Sequence, residues 1–477
     1  MTPEIVGLEI QGLFRSLNHV IPLNKGGITL IHGPNGCGKT TLLKLLTAVI
    51  NGEFGYLKRV QFDFFSIEFS DGKKLFINQN RSPISSQETQ NLADIKSRMD
   101  IDKLKEGFDL ANPSNSSLEM NRYQVELSVK LTNKSGKTIK NKVFANNISQ
   151  NLYSKLHERP MLVNEALPNL RRIAPRVWRD RDSGETYDLK EIADLFGDEF
   201  ELDIPSWFSD IVNEIKLGFI NAQRLLEITG KATGSYSEEK GSQVRDFVEV
   251  YSQDIRQRMD ETLRASALVS QSAERTFPQR ILQREYKKVK EPELRAKYST
   301  LQQRFLQLAE NGLQEEFVAI DLPTLKLNPT ELRVLSLYLG DLDDKLNVFQ
   351  DLQRKIDIFR TILNKKYRRK IFNVDRKAGF LISLDGSKQP LAPSALSSGE
   401  QHQIVMFYDL IFSKADNLLF LIDEPEISLH VEWQRQFLDD LALVAELKGH
   451  KFIIATHSPQ IIGGRRELAV ALDGGVN

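Results

Sequence analysis

The sequence is short of cysteine, has no net charge and contains no long hydrophobic run. Cys37 is the single cysteine among 477 residues, so a disulfide within the chain is excluded and a reducing compartment is expected. The 64 lysines and arginines equal the 64 aspartates and glutamates, which excludes an overall basic field that would attract nucleic acid or an acidic membrane. No apolar run approaches the roughly 20 residues that cross a bilayer, and the N-terminal residues do not have the pattern of a signal peptide. We therefore expect a cytoplasmic protein without membrane contact.

The apolar pattern changes twice along the chain. Short apolar runs separated by Asn, Gly and Pro predict strands in the first 150 residues, including hairpins over 57–78 and 122–145. A further strand is predicted over 212–219. Apolar steps of three and four residues then predict packed helices over 242–375, and strands return afterwards. This order predicts the α/β class, with a helical or short coiled-coil insertion in the core.

We accordingly divide the chain into three parts. Residues 1–225 form an N-terminal lobe with a phosphate loop and an antiparallel β layer. Residues 226–377 form the helical insertion, and residues 378–477 form a C-terminal lobe.

The strongest motif is a phosphate-binding loop after a predicted strand and before a predicted helix. Residues 33–40 fit the spacing G-x-x-x-x-G-K-[ST]. Its glycines let the backbone wrap phosphates, and the free N–H groups of the helix start face the anion. We expect Lys39 to reach the β- and γ-phosphates and the Thr40 hydroxyl to bind Mg²⁺. The candidate nucleotide-binding residues here are Gly33, Asn35, Gly36, Cys37, Gly38, Lys39, Thr40 and Thr41.

Two acids end a second buried strand. Residues 418–422 are apolar and precede Asp423 and Glu424, at the strand end where α/β sheets bind ligands. Asp423 is a candidate Mg²⁺ ligand, and Glu424 is a candidate base that orients the attacking water. A third strand, 451–455, leads to His457, which can donate a hydrogen bond to the γ-phosphate.

A second anion site is predicted at the start of the helix that follows Leu396. Ser397 or Ser398 is suited to cap this helix, and its free N–H groups would attract an anion. From these residues alone, a cap without a ligand is the preferred interpretation.

Taken in order, GPNGCGKT, LSSGEQ, LLFLIDEPE and ATHS resemble the motifs of ATP-binding-cassette ATPases. The chromosome-maintenance, RecF-like and overcoming-lysogenisation-like branch is most similar, because there a helical or coiled-coil insertion separates the phosphate loop from the signature motif. Here 360 residues (399 − 39) separate Lys39 from Gly399. The segment LEIQGLFRSL also resembles this branch. The segment FINAQRL resembles one that is common in bacterial phage-defence ATPases, and the whole pattern is similar to stand-alone anti-phage defence ATPases of the PARIS AriA-like and Septu type.

The resemblance implies a homo-oligomer built from head pairs with ATP between them, in which Ser398, Gly399 and Glu400 of one copy contact the nucleotide of the other. It implies ATP and Mg²⁺ as cofactors, with Glu424 and His457 as catalytic residues. It also suggests Gln223 as a third residue at the metal. A separate effector, expected to be a nuclease, and a phage-derived trigger are the implied partners.

Two biological roles stay open from the sequence. One is an ATP-gated scaffold that holds and releases a toxic effector in phage defence. The other is a DNA-repair ATPase that binds DNA directly, through basic residues such as those within 365–370 or those around Trp178 within 171–181. Only 20 residues (477 − 457) follow His457, so we expect no appended nuclease domain and no nuclease activity in the chain itself. A transporter subunit is set aside because of the wide motif separation.

Overall fold

The computed structural model describes most of the chain outside a few segments. The described residues are 4–83, 123–144, 156–157, 160–167, 170–174, 177–180, 186–189, 192, 204–221, 224–228, 243–283, 289–314, 321–387, 389–392 and 395–472.

Mixed α/β architecture is seen in these residues. The strands are β1 Ile5–Leu13, β2 Leu17–Pro22, β3 Ile28–His32, β4 Phe64–Phe69, β5 Lys74–Pro83, β6 Tyr123–Thr132, β7 Thr138–Phe144, β8 Leu170–Ala174, β9 Val177–Asp180, β10 Thr186–Asp188, β11 Leu217–Asn221, β12 Arg224–Ile228, β13 Lys370–Asp375, β14 Gly379–Leu384, β15 Pro390–Leu391, β16 Leu419–Asp423, β17 Lys451–Ala455 and β18 Ala469–Ala471. The helices are α1 Lys39–Asn51, α2 Phe54–Arg59, α3 Met161–Ala166, α4 Ser206–Asn213, α5 Gln243–Leu282, α6 Glu291–Glu310, α7 Pro329–Asn347, α8 Gln350–Lys366, α9 Ser398–Phe412, α10 Val431–Lys448 and α11 Pro459–Ile462, with 3₁₀ turns at Pro425–Ser428 and Arg466–Leu468.

A six-stranded sheet in the order β12-β11-β16-β17-β3-β18 forms the centre. Within this sheet, β11, β16, β17, β3 and β18 run parallel to one another, and β12 is an antiparallel edge strand. In the register of the parallel strands, Asp423 lies opposite Ala455 and Ala455 lies opposite Ile31. The carboxyl ends of β16, β17 and β3 therefore meet at one edge of the sheet, although β3 lies about 420 residues (451 − 32) before β17 in the chain.

Apolar side chains cover both faces of this sheet, as expected for parallel strands. Along β16, Phe420 and Ile422 enter one core with the helices α5–α10, whereas Leu419 and Leu421 enter another with α1 and the β layer. The β layer is the antiparallel sheet β2-β1-β4-β5-β6-β7. A smaller cluster around Trp178 packs α3 against β8–β10.

The helical insertion consists of α5 to α8. Helix α5 is 40 residues long and packs on both α7 and α9. The periodic apolar residues of α8 are buried, among them Ile356, Phe359 and Leu363. The insertion therefore shares one core with the C-terminal lobe and is not a detached module.

The structure corrects three predicted boundaries. Residues 57–59 belong to α2, so the first hairpin begins only at Phe64. Val212 lies in α4, where it is buried, and the strand predicted there begins at Leu217. The helices predicted to continue to residue 375 end at Lys366. Residues 370–375 form β13, which pairs with β14 and buries the alternating side chains of Phe372 and Val374. The boundary that we placed at 377 falls in the turn between these two strands, and we propose a boundary near 366 that keeps them together.

Candidate functional site

The phosphate loop joins β3 to α1 at the edge where the parallel strands end. Gly36 and Gly38 have φ values of +83° and +88°, a conformation that other residues adopt only with strain. A Cβ atom at Gly33 would lie 2.5 Å from the carbonyl oxygen of Leu472. The glycines are therefore required by the path of the loop, which leaves its backbone free to approach phosphates closely. Asn35 is exposed and Thr41 is partly buried at the helix start.

Lys39 is folded over the loop and is only 5% exposed. Its Nζ donates to the carbonyl oxygens of Gly33 and Pro34, at 3.0 and 3.1 Å. The same Nζ lies 3.4 Å from Nδ1 of His457 and 3.7 Å from Sγ of Cys37. The ammonium group of Lys39 is thus held inside the loop, where it would contact a bound phosphate.

His19 of β2 is a loop contact that the sequence did not reveal. Its Nε2 donates to the carbonyl oxygen of Cys37 over 2.9 Å, and the residue is 4% exposed. The β layer therefore anchors the phosphate loop from the side. No motif marks His19, because the contact depends on how β2 packs beside the loop.

Thr40 and Asp423 meet although 383 residues separate them. The Thr40 hydroxyl donates to Oδ1 of Asp423 over 3.1 Å. Burial raises the pKa of Asp423 above its usual value, the Thr40 hydrogen bond opposes this, and the nearby Glu424 raises it further. A hydroxyl and a carboxylate side by side are hard oxygen donors that suit Mg²⁺, and a cation here would relieve the crowding of acidic groups. The residues present therefore fit a nucleotide with Mg²⁺.

Glu424 leaves the sheet in an unusual backbone conformation. Its φ and ψ are +48° and +53°, a region that is costly for a residue with a Cβ and that concentrates at functional sites. Its N–H donates to the carbonyl oxygen of Ala455 over 2.9 Å, which fixes the turn against β17. The carboxylate Oε1 lies 3.9 Å from Nε2 of His457. The site therefore brings together Lys39, Thr40, Asp423, Glu424 and His457.

The residues of the signature motif LSSGEQ, 396–401, lie at the start of α9. The structure shows that Ser397 is the cap: its Oγ accepts from the N–H of Glu400, and the Glu400 carboxylate accepts from the N–H of Ser397. Ser398 is exposed, and Gly399 faces Trp433 and Ser428. Burial alone would raise the pKa of Glu400, but hydrogen bonds from Lys370 and Ser397 outweigh it and lower that pKa. The Glu400 side chain is thus already engaged, so its expected contact with a nucleotide stays a prediction.

The basic run 365–370 is largely engaged within the chain. The ammonium of Lys366 is buried and lies 2.5 Å from the buried carboxylate of Asp440. Lys370 pairs with Glu400 over 2.8 Å, and Arg368 pairs with Glu432 at the surface. This run therefore connects the end of α8 to α9 and α10. Because these cations already pair with carboxylates of the chain, the run is less suited to bind DNA phosphates.

The second basic run does not present an aromatic side chain to solvent. Trp178 is fully buried, its Nε1 donates to Oδ1 of Asn164 over 2.8 Å, and the Arg172 guanidinium lies 5.6 Å from its ring centre. The ring is part of a small core, so Trp178 is not placed to stack on a base of bound DNA. Arg176 and Arg181 of this run lie outside the described residues, as does Gln223.

Comparison with known proteins gives a family and a set of distant folds. A family described as "AAA ATPase domain" matches residues 4–462. No curated protein matches the sequence.

Three of the solved structures that match cover 96–99% of this chain, with 91–95% of their own chains covered. One is an Smc head domain with an extended coiled coil bound to the C-terminal domain of ScpA from Pyrococcus furiosus, at 14% identity and a TM-score of 0.35. Another is an SmcHead bound to the C-winged helix domain of ScpA, at 12% and 0.30. The third is the SMC head domain from Thermotoga maritima, at 11% and 0.31. In the described part of the chain, no helix combines the length and apolarity needed to span a membrane.

Proposed function

The chain belongs to the AAA ATPase domain family, and from this premise we propose that it is a Mg²⁺-dependent ATPase that acts as an ATP-gated scaffold. The observation that carries the proposal is the contact between Thr40 and Asp423 beside Lys39. It unites the two halves of a nucleotide site that the sequence keeps far apart. The ATP supply of the cytoplasm fits this activity.

Each side chain at the strand ends has a chemical task in this proposal. Thr40 and Asp423 hold Mg²⁺, which would neutralise phosphate charge when bound. Lys39 exchanges its loop carbonyls for phosphate oxygens. Glu424 orients and polarises the attacking water, and His457 donates a hydrogen bond to the γ-phosphate, whose charge develops during transfer.

A second copy is proposed to complete the site. Ser398 is exposed at the N-terminus of α9, where free N–H groups and the helix dipole favour an anion. Ile427 and Val431, on the segment after Glu424, are 55% and 54% exposed. Gly399 lies beside Ser428 in that same segment, so this surface combines an anion-binding helix start with exposed apolar side chains. Both suit a facing copy with ATP between the heads.

The contacts of the residues that follow α8 support the gating role. The Tyr367 hydroxyl donates to the carbonyl oxygen of Glu400 over 2.8 Å, and Lys370 pairs with the Glu400 carboxylate. Nucleotide contact at the start of α9 would therefore reach Tyr367, which directly follows the last helix of the insertion. We propose that the insertion holds a separate effector, a nuclease in anti-phage defence, and that the nucleotide state or a phage component controls its release.

Lys39→Ala is expected to weaken ATP binding by about 10- to 100-fold, because charged hydrogen bonds to phosphate are lost. Isothermal titration with ATP and Mg²⁺ measures this. Lys25→Ala, an exposed lysine in the turn before β3, is the matched control. Equal affinity in Lys39→Ala and the wild type would overturn the nucleotide site.

The defence role is tested in cells that carry the gene for this protein with its neighbouring genes. Lys39→Ala is expected to abolish the protection of these cells against phage.

Ser398→Arg is expected to abolish most ATP hydrolysis while ATP binding to a single copy survives. The added bulk and charge at the exposed helix start would block the facing nucleotide. ATPase rates, ATP affinity and light scattering with ATP are compared with Ser299→Arg, at an exposed position of α6. Unchanged hydrolysis and ATP-dependent assembly in Ser398→Arg would mean that Ser397 and Ser398 serve only the helix start.

Direct DNA binding is the second candidate function, and one groove favours it. A groove of about 470 Å³ between α5 and the β13–β14 turn is lined by four cations and two acids. The cations are Arg256, Arg264, Arg376 and Lys377. If DNA binds there, the double variant Arg264→Ala/Lys377→Ala should lower the slope of log affinity against log salt by about 2. Salt-dependent DNA binding without a partner protein would favour this function over the scaffold role.

A further inference from the structure

Glu426 lies two residues after Glu424 and holds the segment that carries His457. Its Oε1 accepts a hydrogen bond from the backbone N–H of His457 over 2.6 Å. Its Oε2 accepts from the hydroxyl of Thr456 over 2.8 Å. Both carboxylate oxygens are therefore used on adjacent residues of a different strand end.

The bridge acts where the sheet no longer controls the chain. Strand β17 ends at Ala455, opposite Asp423, and the N–H of Thr456 still bonds to the carbonyl oxygen of Ile31 over 3.0 Å. From His457 onward the segment has left the ladder. The hydrogen bond to Glu426 replaces the ladder contact at the residue whose ring must be placed accurately.

The ring of His457 stands between two groups of the proposed reaction. Its Nδ1 is 3.4 Å from Nζ of Lys39, and its Nε2 is 3.9 Å from Oε1 of Glu424. A rotation of the His457 backbone would change both distances at once. The Glu426 bridge opposes such a rotation, since it fixes the N–H of the same residue.

A second tie supports the bridge from behind. Ser458 donates to Oε1 of Gln434 over 2.6 Å, and Nε2 of Gln434 donates to the carbonyl oxygens of Leu429 and Glu426, at 3.0 and 3.4 Å. The turn after Glu424 and the segment after β17 are thus cross-linked by side chains on both sides of His457.

We propose that Glu426 is a positioning residue that sets the place of His457 relative to Lys39 and Glu424 during ATP hydrolysis. The inference rests on the proposed ATPase function. Because both carboxylate oxygens of Glu426 are committed, Glu426 acts through His457 and does not serve as a second base for water.

The test is a double-mutant cycle between Glu426 and His457. Glu426→Ala should lower kcat by about 10- to 100-fold, which is the scale for loss of charged hydrogen bonds, while ATP affinity changes less than about twofold because the phosphate loop is intact. In a His457→Ala background the same change should lower kcat by less than about threefold, since its effect passes through the missing ring. Glu446→Ala, an exposed glutamate on α10, should leave kcat unchanged.

Two conservative variants protect the test against a folding defect. Glu426→Gln keeps one acceptor oxygen for the His457 N–H and should restore much of the lost kcat. Thr456→Val keeps the shape but removes the hydroxyl, which donates to Glu426 and accepts from the N–H of Ser458. It leaves the bond between the His457 N–H and Glu426, and should lower kcat less than Glu426→Ala does.

The outcomes separate this inference from the function on which it rests. Wild-type kcat and ATP affinity report on the ATPase itself. With an active wild type, an equal loss of kcat for Glu426→Ala with and without His457 would overturn the positioning role. So would a loss confined to ATP affinity, or an unchanged kcat in both Glu426→Ala and Glu426→Gln.

Discussion

Glu424→Gln is expected to reduce ATP hydrolysis by about 10²- to 10⁴-fold, the usual contribution of a positioned general base. The glutamine has the same shape, so it fits the strained turn between Asp423 and Pro425 as the glutamate does. It cannot take a proton from water, and it removes one negative charge near the γ-phosphate. ATP affinity should therefore be kept or increased, and head pairs should persist longer with ATP. Single-turnover hydrolysis and light scattering with ATP measure the two effects.

Glu446→Gln is the matched control for this change, because it removes the same charge at an exposed position on α10. Near-normal turnover in Glu424→Gln would contradict the assigned role. Loss of ATP binding together with turnover would show instead that the residue supports the fold of the site.

Asp440→Ala is expected to destabilise the protein by about 3 to 5 kcal/mol, because it leaves a charged lysine without its partner in the core. The Asp440 and Lys366 side chains are 1% and 0% exposed. Burial lowers the pKa of Lys366 and raises that of Asp440, and the attraction between the two groups opposes both shifts. Urea denaturation at neutral pH measures the free energy of unfolding. Asp439→Ala is a close control, since that carboxylate is 61% exposed and pairs with Arg465 at the surface, where such pairs contribute about 1 kcal/mol or less.

Replacing both partners separates the charge from the packing. Lys366→Met/Asp440→Leu should be neutral or stabilising by about 1 to 4 kcal/mol relative to the wild type. A double variant as unstable as Asp440→Ala would contradict the account based on an uncompensated buried charge. The double variant changes neither Tyr367 nor Glu400, so the hydrogen bond between them should remain. We therefore expect the ATPase activity of the double variant to be kept.

The parts of the site that could be predicted are those encoded by contiguous residues. The phosphate loop is a local pattern, and Gly38, whose φ is positive, stands where the motif requires a glycine. The apolar run before Asp423 likewise predicts a buried strand with acids at its end. Helix and strand types followed wherever the apolar period was long, as in α8 with Ile356, Phe359 and Leu363.

What could not be predicted depends on pairing between distant segments. His19 meets Cys37, and Glu426 meets His457, only because particular strands become neighbours in a particular register. The same cause explains the errors over short elements. The apolar residues around Val212 suit either a helix or a strand, and the burial of Val212 in α4 favours the helix. The cation count in 365–370 likewise gave no sign that Lys366 would be enclosed with Asp440.

The position of β3 between β17 and β18 has a consequence for how the protein is made. On a ribosome that adds about 5 to 20 residues per second, the 384 residues (423 − 39) between Lys39 and Asp423 take about 20 to 80 seconds to synthesise. During that interval β3 has neither of its two parallel neighbours, so its edges and apolar faces stay open to wrong pairing or to chaperones. The nascent chain cannot form a complete nucleotide site until the strands around β3 have emerged. Under the proposed function, binding of ATP with Mg²⁺ would begin only after these strands have paired, and chains truncated before Asp423 are expected to hydrolyse no ATP.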